Sequence, residues 1–85
     1  MEKIHIYTKE PGLDLDSALS MAKTEASLSL EEPMLLSWHE KKSGRFSPNV
    51  TCCGLDEPAW IVYAKNRGAR VNVNVNQGEY VFMFR

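Results

Sequence analysis

The clearest pattern of hydrophobic and polar positions lies near the C-terminal end of the chain. Valine alternates with asparagine over residues 71–76, and after Gln77 and Gly78 aromatic side chains occupy every second position over residues 80–84. Strict alternation is typical of β-strands, and a short glycine-containing segment between two such runs is typical of a hairpin. With Gln77 and Gly78 as a two-residue turn, the pairs on one face are Val75 with Tyr80, Val73 with Phe82, and Val71 with Phe84. These six side chains predict the centre of a hydrophobic core.

Two segments have the spacing of amphipathic helices. After Asp14, the apolar residues are Leu15, Ala18, Leu19, Ala22 and Ala26, which predicts a helix over about residues 15–28 with Asp14 as its N-cap. The second helix is predicted between Asp56-Glu57-Pro58, with Asp56 as N-cap, and Gly68, which would end it. The alternative for this second segment is a strand over residues 60–63, which β-propensity alone favours.

Three further strands complete the predicted elements. Residues 3–8 alternate, and so do residues 34–39, where Met34, Leu36 and Trp38 would share one face. Residues 41–44 form the turn that follows, and a short third strand is predicted over residues 50–53. The resulting order predicts one small α+β domain spanning residues 1–85, with an antiparallel-rich sheet of four to five strands, two helices and a C-terminal β-hairpin.

Length and charge exclude several classes of protein. The chain has 85 residues, enough for one hydrophobic core, and its 10 basic and 11 acidic residues leave a net charge of −1. This balance provides no general attraction to nucleic acid, and the apolar runs are far shorter than a membrane span requires. We therefore expect a cytoplasmic protein with no nucleic-acid or membrane partner and no cofactor, which could gain stability by forming a homo-oligomer.

Cys52 and Cys53 are adjacent, and adjacent cysteines can bridge only through a strained ring. Redox and zinc motifs instead place two residues between their cysteines, so no metal site is predicted. On an extended segment the two side chains would point to opposite faces, and Cys53 would be the exposed thiol if Cys52 faced the core. A thiol-dependent activity of Cys53 with His39 as acid–base partner is one hypothesis, and incidental cysteines beside a solvated histidine are the alternative.

Two other groups of residues are candidates for ligand binding. Asn72, Asn74 and Asn76 form a polar row on one strand, although asparagine is a poor strand former, so they could be a recognition face or simply a solvated one. Lys42 and Arg45 flank the turn at residues 43–44 and could hold an anion. A solvated hairpin turn explains these two cations equally well.

Several short motifs in the C-terminal half carry a resemblance to a known family. They are Cys52-Cys53-Gly54, Asp56-Glu57-Pro58, Trp60, Tyr63-Ala64, Arg67-Gly68-Ala69 and Gly78-Glu79-Tyr80-Val81-Phe82. Together they resemble small prokaryotic proteins catalogued as a domain of unknown function. The resemblance implies an α+β fold and carries no activity with it.

The sequence does not identify a substrate, partner or pathway. Its small core and the absence of a catalytic motif favour a non-catalytic binding or accessory domain, which would use a sheet face or an exposed edge strand to self-associate or to hold a protein partner. The alternatives are a thiol-dependent enzyme or redox protein that uses Cys53 with His39, and a small-ligand or metal-binding protein.

Overall fold

A computed structural model describes residues 1–48 and 57–85 of the chain. The described elements are β1 (Glu2–Ile6), α1 (Leu15–Ala26), β2 (Leu35–Glu40), β3 (Phe46–Ser47), α2 (Ala59–Asn66), β4 (Val71–Val75) and β5 (Tyr80–Phe84). The strand predicted over residues 50–53 lies outside the described residues, as do both cysteines.

The five described strands form one sheet in the order β1-β4-β5-β2-β3. The pairs β4–β5, β5–β2 and β2–β3 are antiparallel, whereas β1 lies parallel to β4. The predicted α+β class with a mostly antiparallel sheet is confirmed. The parallel pair is the feature that the sequence did not predict, and it leaves β1 at one edge of the sheet.

The two helices pack on opposite faces of this sheet, which we call the α1 face and the α2 face. On the α1 face, the three alanines of α1 are fully buried against the valines of β4 and the aromatic rings of β5. On the α2 face, Trp60 and Ala64 pack with Val81 and Met83. Because both faces of β5 are covered, this strand lies in the interior of a three-layer arrangement.

The C-terminal hairpin has the predicted register. Val75 pairs with Tyr80, Val73 with Phe82 and Val71 with Phe84, and all six side chains are buried. Gln77 and Gly78 have φ angles of 58° and 95°, and the Glu79 N–H donates to the Asn76 carbonyl over 3.3 Å. Positive φ at both central residues is a feature of a type I′ turn, but Asn76 before them also has a positive φ of 51°, so the regular pairing of β4 with β5 ends at Val75 and Tyr80.

The first helix begins as predicted and ends slightly earlier. The Asp14 carboxylate accepts a hydrogen bond from the Ser17 N–H over 2.8 Å, which confirms Asp14 as the N-cap. The helix ends at Ala26 rather than near residue 28. Strand β1 is likewise displaced from the predicted range of residues 3–8 to Glu2–Ile6.

Residues 60–63, for which helix and strand were the alternatives, lie within α2 (Ala59–Asn66), so the strand alternative is wrong. The helix begins at Ala59 and Pro58 takes the cap position without a side-chain hydrogen bond, which corrects the predicted start at Asp56. Glu57 lies before the helix and pairs with Lys65 over 2.6 Å. Gly68, with φ of 80°, follows the C-cap as predicted.

Strand β2 contains an irregularity that overturns its predicted facing. The register shifts between Leu35 and Ser37, so that Leu35 and Trp38 pack on the α1 face while Leu36 packs on the α2 face. A bulge inserts an extra residue and reverses the alternation beyond it. The prediction that Met34, Leu36 and Trp38 share a face is therefore wrong, and Met34 is 60% exposed.

Asn76 ties the hairpin turn to the first strand. Its backbone N–H donates to the Ile6 carbonyl over 2.8 Å, and its side-chain oxygen accepts from the Thr8 N–H over 2.9 Å. The residue itself has φ of 51°, in the left-handed region that asparagine tolerates better than most residues. Asn76 therefore ties the chain to the hairpin turn for two residues beyond the end of β1.

Two substitutions separate the conformational role of Asn76 from its hydrogen bond. We expect Asn76→Gly to lower the free energy of unfolding by roughly 1 kcal/mol, because the bond to Thr8 is lost while the left-handed conformation is kept. Asn76→Ala should cost about 1–2 kcal/mol more, because alanine is strained at this φ. Urea unfolding of the two variants measures the difference. Equal stability of the two variants would show that the backbone conformation is not the constraint.

Candidate functional site

The α2 face is only partly covered, because α2 packs mainly over β2 and β5. The part of this face formed by β1 and β4 carries Lys3, His5, Asn72 and Asn74, which we call the open polar face. Register places Lys3 opposite Asn72 and His5 opposite Asn74. Lys3 and His5 are exposed, whereas the two asparagines are half-buried. The structure thus brings the two predicted asparagines together with two cationic or titratable side chains of the edge strand.

The two asparagines of this face are ordered by each other. The Asn74 side-chain nitrogen donates to the Asn72 side-chain oxygen over 2.7 Å. This bond uses one donor hydrogen and one acceptor, and each amide retains further hydrogen-bonding capacity. The pair can therefore present fixed polar groups to a ligand without first losing much side-chain freedom.

A shallow groove of about 340 Å³ separates the open polar face from α2. Its lining residues are Met1, Lys3, Glu57, Ile61, Lys65, Asn72 and Met83. The Glu57–Lys65 ion pair lies on the helix side of the groove, so the two charges balance there. The groove combines an apolar floor with polar walls.

The outer edge of β1 is the second component of the site. The Glu2 N–H donates to the Arg70 carbonyl and the Ile6 carbonyl accepts from Asn76, so the even-numbered residues direct their backbone groups toward β4. Backbone groups alternate in direction along a strand, so the N–H and C=O of Lys3 and His5 point away from the sheet. Within residues 1–48 and 57–85, no backbone group pairs with this edge.

His39 lies on the α2 face but not on its open part. Its ring stacks on Trp60 with a centroid distance of 5.1 Å and an interplanar angle of 3°, so the imidazole is half-buried beneath α2. Val81 lies between His39 and Asn74 in the same cross-strand row, which separates the two by two strand spacings, about 10 Å. Cys53 is outside the described residues, so a Cys53–His39 pair stays a prediction.

Lys42 and Arg45 lie at the turn after β2, near the opposite end of the sheet from Lys3. The Arg45 guanidinium is 3.3 Å from the Glu40 carboxylate. A cleft of about 430 Å³ beside them is lined by Leu13, Asp14, Leu15, Asp16, Glu40, Lys42, Arg45, Glu79 and Tyr80. Its carboxylates outnumber its cations, which opposes binding of an anion. Anion binding by Lys42 and Arg45 stays a prediction, with an unfavourable electrostatic setting.

Tyr80 lies at the floor of this cleft and is 4% exposed. Its hydroxyl donates to the Leu13 carbonyl over 3.2 Å. Burial raises the pKa of Tyr80, and the negative charges of Glu40, Glu79 and Asp14 raise it further. The pKa of Glu40 is lowered, chiefly because its carboxylate accepts a hydrogen bond from the Ser43 hydroxyl. Tyr80 therefore acts as a neutral anchor between β5 and the start of α1.

The raised pKa of Tyr80 makes stability depend on alkaline pH. A tyrosine whose pKa is higher in the folded state keeps its proton longer there, so its contribution is complete below the unfolded pKa near 10 and is lost as pH rises through the folded value. We expect the free energy of unfolding to fall above pH 10 more steeply for the unsubstituted protein than for Tyr80→Phe. Urea titrations between pH 8 and about 11 compare the two slopes. Parallel slopes would contradict a buried neutral phenol.

Two properties of the described residues bear on the class of site. Among residues 1–48 and 57–85, no three His, Cys, Asp or Glu side chains are arranged to hold a metal ion. No helix in this part of the chain is long and apolar enough to cross a membrane. The alternative of a small-ligand or metal-binding protein stays a prediction.

The sequence pointed to Asn72 and Asn74 but did not predict their neighbours. Lys3 and His5 join them only because β1 runs parallel to β4, and those two strands are separated by most of the chain. The alternating pattern of residues 3–8 was the available signal for a strand. Nothing in that pattern specified which strand it would pair with.

Fold and site together define a small α+β domain with a mixed five-stranded sheet between two helices and a half-covered polar face; among residues 1–48 and 57–85, the parallel strand β1 lies at the edge of the sheet. The profile of one family, described as a domain of unknown function (DUF5619), matches residues 1–84. The chain belongs to this family, in agreement with the resemblance found in the sequence.

A sequence relative and a solved structure from Archaeoglobus fulgidus are similar to this chain. An uncharacterized protein of Archaeoglobus fulgidus is 44% identical over 82 residues, which cover 96% of this chain and 86% of that protein. The crystal structure of the A. fulgidus protein AF1514 superposes with a TM-score of 0.85 at 40% identity and covers 100% of this chain and 93% of that one. At this identity the shared fold is secure, and the function of the family is unknown.

Proposed function

We propose that this protein is a non-catalytic binding domain that holds an extended polypeptide segment along the outer edge of β1. The observation that carries the proposal is the edge itself: β1 is a full five-residue strand, fixed to β4 on one side and unpaired by any described residue on the other. A fixed strand with outward N–H and C=O groups is a template for a further strand.

The two kinds of contact at this edge would have different roles. Backbone hydrogen bonds from Lys3 and His5 would supply affinity without regard to sequence, each contributing about 0.5–1.5 kcal/mol. Alternate side chains of the added strand would lie beside Lys3, His5 and the ordered asparagine pair, which would supply specificity.

The two cysteines bear on both the expected location of the protein and the alternative function. We expect the domain to act in the cytoplasm, because adjacent cysteines bridge only with strain and fit a compartment that keeps thiols reduced. A thiol activity of Cys53 with His39 is the alternative, but the stacking of His39 on Trp60 provides no support for an exposed acid–base group.

A proline at position 5 tests the backbone contribution separately from the side chain. Proline removes the outward N–H of His5 and leaves the bonds between β1 and β4 in place, because those involve the even-numbered residues. His5→Ala is the matched control, since it loses the imidazole and keeps the N–H. Extended peptides selected from a phage-displayed random library on the unsubstituted protein should bind His5→Ala with at most a few-fold change and His5→Pro at least tenfold more weakly.

Circular dichroism and thermal unfolding of both variants would first establish that the sheet is intact. Peptides that bind His5→Pro as tightly as His5→Ala would contradict strand addition at this edge. Failure to select any peptide would also count against the proposal, because backbone pairing is not selective for sequence.

A further inference from the structure

We infer that the strand added to β1 comes from a second copy of this chain. In this arrangement, two β1 strands pair antiparallel about a two-fold axis at Ile4, and two five-stranded sheets join into one continuous sheet. The inference depends on the proposed function, because it uses the same edge and names the partner.

The register follows from which backbone groups point outward. In an antiparallel pair, the backbone N–H and C=O groups that point away from β4 in one copy must bond to the same groups of the other copy. Odd-numbered residues of one strand therefore face odd-numbered residues of the other. An axis at Ile4 places Lys3 opposite the second copy's His5 and Met1 opposite its Tyr7. Every outward position from residue 1 to residue 7 then has a partner.

Neighbouring registers are less favourable. An axis at Lys3 would put two ammonium groups directly opposite each other, which destabilises a cross-strand pair. An axis at His5 would pair Lys3 with Tyr7 and place Met1 opposite Lys9, three residues beyond the end of β1. The axis at Ile4 avoids the repulsion and uses the full length of the edge.

Exposed apolar side chains at both ends of β1 favour the same register. Met1 is 51% exposed and Tyr7 is 67% exposed, and they are two of the four large hydrophobic residues exposed in the described part of the chain. The hydrogen bonds of Ile6 and Thr8 to Asn76 tie the chain to the hairpin turn on both sides of Tyr7. Pairing about Ile4 would bring each Met1 against a Tyr7 and remove both from water.

The other edge of the sheet explains why the assembly would stop at a dimer. The described opposite edge is β3, which has only two residues, Phe46 and Ser47. Very short edge strands are poor templates for further pairing. Once two β1 edges have paired, the outer edges of the joined sheet, as far as residues 1–48 and 57–85 define it, are two copies of β3, which are shorter templates than β1.

The interface is expected to be weak. One strand pair with its flanking side chains falls at or below the low end of specific protein interfaces, about 1,200 Å² of total buried surface. We therefore expect a micromolar dissociation constant and a monomer–dimer equilibrium that shifts with concentration.

Disulfide trapping tests the partner and the register together. We would introduce Lys3→Cys and His5→Cys separately in the full chain, with Cys52→Ser and Cys53→Ser in both proteins. In the inferred register these positions face each other across the interface with Cα atoms about 5.5 Å apart, within the range of a disulfide. An equimolar mixture should form a covalent dimer under mild oxidation at least tenfold faster than either protein alone.

Three results would overturn the inference. Faster dimerisation of Lys3→Cys alone or of His5→Cys alone than of the mixture would indicate a different axis. Equal rates in all three samples would indicate random collision. Sedimentation of the unsubstituted protein as a monomer up to about 1 mM would exclude a second copy as partner, since a micromolar dimer is saturated there. In that last case, peptide binding that is lost in His5→Pro would still uphold the proposed function.

Discussion

Every residue of β5 is buried, because the strand lies between β4 and β2 within the sheet and between α1 and α2 across it. Tyr80, Phe82 and Phe84 pack toward α1, while Val81 and Met83 pack toward α2. Both hydrophobic clusters therefore depend on one five-residue segment. A chain of 85 residues buries a smaller fraction of its surface than a larger domain does. A strand shared by two clusters lets this short chain stabilise three layers.

Local patterns predicted the parts of this fold that depend on neighbouring residues. The hairpin register followed from alternation and from Gln77-Gly78, and the start of α1 followed from Asp14. Long-range features could not be read in the same way. The bulge in β2 reversed the facing of Leu36, because one extra residue shifts the two-residue alternation by one position. The pattern of apolar residues in this segment does not reveal that extra residue.

In the candidate site, too, local features were predicted from the sequence and long-range contacts were not. Asn72 and Asn74 were identified because asparagine is unusual in a strand, and their position on the face opposite the hairpin core follows from alternation. Lys3 became their neighbour because β1 pairs parallel to β4. His39 is half-buried because its ring stacks on Trp60 of α2. Both outcomes depend on contacts between segments far apart in the chain, which the spacing of residues within one segment does not encode.

The bond between Thr8 and Asn76 joins residues 68 positions apart, and β1 as a whole contacts β4 across a similar separation. Closing a loop of that length carries a large entropic cost, so β1 is expected to dock late in folding. During synthesis the first strand leaves the ribosome long before its partner exists. Until β1 docks, the valine-rich edge of β4 is unpaired, and the nascent domain passes through a stage with a more hydrophobic open edge than the folded protein has.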